Sequence, residues 1–271
     1  APEVFEAMVP YLRDHYGNPS STHHLGRQTK AVIETSRRVI AKALNCLPSE
    51  IYFTSGGTEA DNLAMHAAVK DLGCRHIITT AIEHSAIIKT AEILRDQGKI
   101  ELHLLKLDEN GNISLSELEA LLAHKENCYV TLMHGNNEIA NLLPIQEVAE
   151  ICKKYNAIFH SDTVQTMGHY AFDLQKTPIS MLNAAAHKFH GPKGTGFIYI
   201  HRSIKIQPHI TGGGQERGLR GGTENIAGIV GLAKAIELAY SHLSEHQVHI
   251  QNLKQYMRSN LQILFPSIVF N

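Results

Sequence analysis

Lys188 stands in the stretch NAAAHKFHGPKGTG, Asn183 to Gly196, where small apolar residues lead into His187-Lys188 and a Gly191-Pro192 turn follows at once. Proline fixes its backbone φ and cannot continue a helix. This lysine therefore belongs to the end of a strand and not to a charged helical face. An amine shielded from water has a lowered pKa and can attack an aldehyde to form an imine. Four more polar clusters follow strand-like runs: Ser55-Gly56-Gly57-Thr58 after IYFT, Glu83-His84 after HIITT, Asn136-Asn137-Glu138 after YVTLMH, and Ser161-Asp162 with Gln165 after AIFH. A Gly-Gly-Thr run that opens a helix offers free backbone N–H groups, a hydroxyl and the positive end of the helix dipole, which suits phosphate. A strand-end aspartate can pair with a protonated ring nitrogen, and an imidazole can lie flat on an aromatic ring.

Taken singly, each cluster has an ordinary reading as a loop and helix cap, a surface carboxylate or a solvated amine. Taken together, a phosphate site, a ring-nitrogen partner, an imine-forming lysine and a stacking imidazole describe pyridoxal phosphate. Competing motifs fail. GPKGTG lacks the spacing of a phosphate-binding P-loop, and GGGQERG follows no dinucleotide-binding strand–turn–helix pattern. His187 and His190 have metal-like spacing only on a helix, and Gly191-Pro192 argues against one, so no metal site is expected. The four cysteines, Cys46, Cys74, Cys128 and Cys152, are scattered without a C-x-x-C pair, so a disulfide framework and a zinc ribbon are both disfavoured and buried inert thiols are expected.

The elements that must position these groups alternate along the chain. EIYFTSGGTEADNLAMHAAV reads as strand, turn and helix. RHIITT is a strand, SAIIKTAEILRDQG a helix closed by Gly98, and IELHLLKL a strand. SLSELEALLA is a helix with Ser114 as its cap and Glu117 three residues on. CYVTLMH, IQEVAEICKKYN and AIFHSD continue the alternation, and GTGFIYIH ends it. Such alternation implies crossover connections and an α/β fold with a mainly parallel sheet and helices on both faces. Ligands then gather outside the carboxyl ends of the strands, so all five polar clusters should face one cleft.

The chain has 271 residues, 43% hydrophobic, with a formal net charge of −1, enough for a sizeable core and without the basic balance of a nucleic-acid or membrane-surface protein. No apolar run approaches the roughly 18 residues of a membrane span. The opening APEVFEAMVPYL lacks the basic start and apolar core of a signal peptide, so a cytoplasmic location is the default expectation. Residues 1–243 read as one large domain, and the helical stretch from Leu243 leads away from it, so 244–271 is expected to begin a second, smaller one.

Seven stretches in order, HYGNPSSTHHLGR, FTSGGTEADNLA, TTAIEHSAI, MHGNNEIA, HSDTVQTMG, AHKFHGPKGTGFIYI and GGGQERGLRGGTENIAGIVG, cover nearly the whole chain. In them the chain resembles the cysteine desulfurases of the iron–sulfur assembly type, within the class V aminotransferase-like group of fold-type I pyridoxal-phosphate enzymes. The resemblance implies conversion of L-cysteine to L-alanine and a protein-bound persulfide, delivered to a sulfur acceptor or iron–sulfur scaffold protein. It makes Lys188 the Schiff-base lysine. His84 would stack on the pyridine ring and assist proton transfer, and Asp162 would pair with the ring nitrogen. Gln165 would bond the phenolic oxygen, with Asn137 near that oxygen and the substrate carboxylate. Thr58, the N–H of Gly57 and His187 would hold the phosphate. Thr223 in GGTEN would reach the phosphate of a neighbouring subunit, which implies a homodimer.

The chain departs from the family in three respects. Ala185 stands where the family usually has a phosphate-binding serine. The opening Asp-Asn-Asn-Ala-Thr-Thr strand is absent. The chain stops at FPSIVFN, before the smaller domain that carries the catalytic cysteine and the substrate-clamping arginine. The 271 residues are accordingly expected not to complete desulfuration by themselves. Another class V enzyme (a selenocysteine lyase or an aminotransferase) and a non-catalytic cofactor-binding scaffold remain as alternatives.

Overall fold

The structure, a computed structural model, describes residues 1–270. Among these residues, seven strands form one sheet: β1 (Ile51–Thr54), β2 (His76–Thr79), β3 (Glu101–Leu104), β4 (Cys128–Thr131), β5 (Ile158–Asp162), β6 (Met181–Ala185) and β7 (Gly196–Ile200). Their order across the sheet is β1-β7-β6-β5-β4-β2-β3. Adjacent pairs are parallel except those of β7, which runs antiparallel to both β1 and β6. The mainly parallel sheet is as the alternation of elements predicts. The reversal of β7 follows from its connection: only the turn at His190–Thr195 separates it from the 3-10 turn after β6, with no room for a crossover helix.

The helices are α1 (Pro2–Arg13), α2 (His24–Ala43), α3 (Gly57–Lys70), α4 (Ser85–Asp96), α5 (Leu115–His124), α6 (Ile145–Lys154), α7 (Ile226–Ser241) and α8 (Leu243–Leu264). They cover both faces, and the strands show why. Alternate side chains point to opposite faces. Ile77, Tyr129, Met181 and Ile198 pack in one core with α3 and α4, through Leu63, Ala64, Ile87 and Leu94. Their neighbours Ile78, Val130, Leu182 and Phe197 pack in the other core, with Ile40 of α2, Leu118 of α5, Val148 of α6 and Leu232 of α7. A strand buried on both sides has no polar face, which is why these strands read as continuous apolar runs.

Local signals set the helix ends. Ser114 Oγ accepts the Glu117 N–H at 3.3 Å, capping α5. Glu117 itself turns to the backbone N–H of Lys106 at 3.2 Å instead of closing the capping box. Gly98, with φ of +66°, follows the end of α4. The last helix differs from the rest: α8 has no buried residue, it bends 67° from α7, and Val248, Ile250 and Leu253 are exposed. No single helix among the described residues is long and apolar enough to cross a membrane.

Candidate active site

The ends of β1, β2, β4, β5 and β6 open on one cavity of about 300 Å³. Eight of the nine residues singled out in the sequence line it: Gly57, Thr58, His84, Asn137, Asp162, Gln165, His187 and Lys188. The ninth, Thr223, lies apart and lines a separate cavity of about 150 Å³ with Glu216 and Arg220. Within one chain the structure therefore brings eight of the nine together.

Each side chain is set by a local device. Lys188 sits on a single 3-10 turn, Ala186–Phe189, directly after β6. His190 ends that turn with φ of +67°, and the Gly191 N–H donates back to Ala186 O at 2.9 Å. A Cβ on Gly191 would stand 2.8 Å from the Ala186 Cβ, so this return needs glycine. His84 caps α4: its Nδ1 accepts the Ala86 N–H at 3.1 Å, which leaves Nε2 as the protonated nitrogen of the neutral ring. Asn136, beside Asn137, locks its own loop by donating to Ile82 O at 2.7 Å and accepting the N–H groups of Glu138 and Ile139.

The phosphate-like corner is the start of α3. The N-cap is Gly56, and no side chain caps the helix, whereas His23, His84, Ser114 and Asn225 cap α2, α4, α5 and α7. The α3 dipole and N–H groups are thus directed at the cavity without an internal acceptor. A Cβ on Gly57 would lie 2.7 Å from Val164 Cγ2, so only glycine lets the helix start approach this closely. Ala185, also in the cavity wall, offers no hydroxyl.

The floor is acidic and buried. Asp162 is held through its Oδ1, which accepts the Val164 N–H at 2.9 Å and faces the Asn183 amide at 3.5 Å. Burial raises the Asp162 pKa; the Val164 N–H, His84, Asn183 and Lys188 pull it back down. Sequence reasoning missed Asp61, which lines the same cavity from α3. Burial holds its pKa well above the carboxylate range, and the charges of Asp162 and Glu83 add to this. Glu83, pushed up to about 8 mainly by burial, accepts the Met133 N–H at 2.8 Å. The signal for Asp61 was available as a carboxylate one turn into a helix whose other face is apolar. Its burial depends on which face of the sheet α3 covers, and that is a tertiary fact.

The four thiols lie elsewhere. None lines the cavity, Cys74, Cys128 and Cys152 are buried, and Cys46 is half-buried. Burial raises all four thiol pKa values, those of Cys46 and Cys74 to about 12. Thiols so held are poor nucleophiles. At the far end of the sheet, outside the cavity, His76, Glu101 and His103 converge. The two rings meet at 3.2 Å, and Lys125 Nζ lies 3.4 Å from the Glu101 carboxylate.

An open helix start, an imidazole, a buried carboxylate and a lysine around one cavity suit pyridoxal phosphate in their chemistry. Comparison with known proteins agrees with this geometry. The family model described as Aminotransferase class-V matches residues 1–268. A protein named cysteine desulfurase IscS from Clostridium botulinum (strain Hall) is 44% identical, over all of this chain and 68% of its own length. One of the same name from Dictyoglomus turgidum is 41% identical over 99% of this chain and 68% of its own length. A solved structure described as a NifS-like protein superposes with a TM-score of 0.93 at 40% identity, covering 98% of this chain and 73% of that one. Another, described as SspA in complex with cysteine, has a TM-score of 0.83 at 35% identity, covering 88% and 69%. Matched from end to end in sequence and fold, the chain belongs to the class V aminotransferase family, among its cysteine desulfurases.

Proposed function

We propose that this chain binds pyridoxal phosphate in the cavity above Asp162 and uses it to act on L-cysteine. The single observation that carries the reading is the convergence of Lys188, Asp162, His84 and the uncapped start of α3 on one cavity. When bound, the cofactor supplies an aldehyde that condenses with amines and a protonated ring that accepts electron density from the substrate α-carbon.

The chain's own residues do the rest. The Lys188 amine holds the aldehyde end and, once free, can carry the α-proton. His84 presents the face of its ring and its Nε2–H. The Asp162 carboxylate keeps the ring nitrogen protonated in a site of lowered dielectric, where the pairing is stronger than in water. Gly57, Thr58 and His187 serve the phosphate; Gln165 and Asn137 serve the phenolic oxygen and the substrate side. Thr223, outside this cavity, completes a phosphate site in a partner copy. The cavity has no thiol from these residues, so the sulfur leaves to a cysteine supplied from outside them, and onward to an acceptor or iron–sulfur scaffold protein.

Borohydride treatment of the cofactor-loaded chain, followed by peptide mapping, tests the assignment. The reduced adduct is expected on Lys188. An adduct on another lysine, or none on loaded protein, would overturn it.

A further inference from the structure

His76 opens β2, and Glu101 opens β3, the strand at the edge of the sheet. The two strands run parallel, with His76 opposite Glu101 and Ile78 opposite His103. Residues two apart along a strand share a face. His76, Glu101 and His103 therefore lie on the face whose core contains Ile78. Three ligand-type atoms meet there. His76 Nδ1 is 3.2 Å from His103 Nε2 and 3.4 Å from Glu101 Oε2, and His103 Nε2 is 3.7 Å from that same oxygen.

Zinc holds imidazole nitrogen and carboxylate oxygen at about 2.0–2.2 Å in a tetrahedron, which sets neighbouring ligand atoms about 3.3–3.6 Å apart. The three distances match that spacing to about 0.1 Å. Hydrogen bonding does not account for the triangle: one ring proton serves one of its sides, and 3.7 Å is too long for a hydrogen bond. Both histidine side chains are 19% exposed and that of Glu101 66%, so the fourth corner is open to water. Neutral imidazole is the form that binds metal. Burial, then Lys125 and His76, hold the His103 pKa below its ordinary value, against the pull of Glu101. Lys125 Nζ stands 3.4 Å from Glu101 Oε2. An exposed pair of this kind is weak, and the second carboxylate oxygen can keep the ammonium while the first takes an ion.

We propose that His76, Glu101 and His103 bind a divalent transition-metal ion of the zinc type, with water at the fourth corner, and that the ion ties edge strand β3 to β2. Two imidazoles select zinc over magnesium or calcium, which prefer oxygen ligands. The edge strand is otherwise paired on one side alone. The site lies at the amino ends of β2 and β3, and the cavity opens at the carboxyl ends of the strands, so this proposal stands apart from the cofactor reading. Its ligands come from two strands, and no spacing within one segment announces them. That is why the sequence leads to an expectation of no metal site.

The test is calorimetric titration of Zn2+ into the chelator-treated chain without pyridoxal phosphate, with Co2+ as a spectroscopic probe. The parent should take one equivalent ahead of any weaker binding, and cobalt should show the intense visible bands of a tetrahedral site. Losing an outer partner of a metal ligand already costs about 10–100-fold in affinity. His103→Ala and Glu101→Gln should therefore each weaken the first equivalent by at least about tenfold. Glu101 is mostly exposed, so Glu101→Gln decides the matter should His103→Ala not fold. At the zinc concentration that saturates the parent, hydrogen exchange should slow in residues 76–79 and 101–104 of the parent and in neither variant. Absence of binding, an octahedral cobalt spectrum, or parent affinity retained in either variant would overturn the proposal. So would zinc protection centred elsewhere, as around His242 and His246.

Discussion

Two buried residues just past the ends of β2 and β4 make predictions of opposite pH sign. Glu83 in the folded chain has its pKa raised by burial from an ordinary 4.5 to about 8. The unfolded chain loses this proton first, so the contribution of Glu83 to stability is complete below about pH 4.5 and is lost as pH rises toward 8. Glu83→Gln should flatten that fall in melting temperature. His134, buried and depressed from 6.5 to about 4, acts the other way. Its contribution is complete above about pH 6.5 and is lost as pH falls toward 4, and His134→Asn should remove that loss. A third prediction concerns Ala185. Ala185→Ser restores a hydroxyl beside the start of α3, and the dissociation constant for pyridoxal phosphate should fall by about threefold to tenfold, the size of one added hydrogen bond. At this scale the sequence exposed the groups that end strands, because a polar residue after an apolar run is visible. Asp61 and Asn183 lie within a helix and a strand, where one polar residue among apolar ones is a weak sign, and they become buried neighbours only when α3 settles on the sheet.

At the scale of elements, the segment that carries Thr223 is pinned by one buried ion pair. Arg37 of α2 donates from two nitrogens to the two Glu216 oxygens, each at 2.8 Å, and Glu216 also accepts the Phe53 N–H at 2.7 Å. Glu216 and Arg217 take left-handed φ values of +45° and +57°, which ordinary side chains rarely adopt. A second link joins Arg220 to Glu59 on α3 at 2.9 Å. Arg37→Ala would strand a buried carboxylate, and by the cost of breaking such pairs stability should fall by about 3–5 kcal/mol. Differential melting measures the loss. Hydrogen exchange should rise first in residues 212–223, and equal exchange there in parent and variant would refute the pinning. The alternation of strands and helices, and the ends of α4 and α5, were legible because each rests on a local signal such as Gly98 or Ser114. The reversal of β7 shows only in its short link to β6, because Gly196–Ile200 is apolar on both faces and reads alike in either direction. The Arg37–Glu216 pair joins residues far apart in the chain, and neither shows in its own neighbourhood that it will be buried.

At the scale of the whole molecule, Thr223 stands outside the cavity that holds the other eight residues. A composite site between two copies makes a distinctive prediction. Thr223→Ala and Lys188→Ala should each bind cofactor poorly alone. Mixed and allowed to exchange, they should regain tight binding at about a quarter of the sites, since half the dimers are mixed and each has one intact site. No recovery on mixing would refute the shared site. The chain as it stands should also release no alanine from cysteine above the background of free cofactor, since none of its thiols reaches the cavity. The burial of those thiols also bears on how motion in this protein can be followed. Three are buried, the fourth is half-buried, and all resist ionisation. Maleimide and disulfide reagents need an accessible thiolate, so a single cysteine introduced on the exposed side of α8, or in the segment 212–223, should take a fluorophore or spin label while the native sulfurs stay silent. The wild-type chain is in this sense already a cysteine-light background, and distances across it can be read without first replacing any residue of its core.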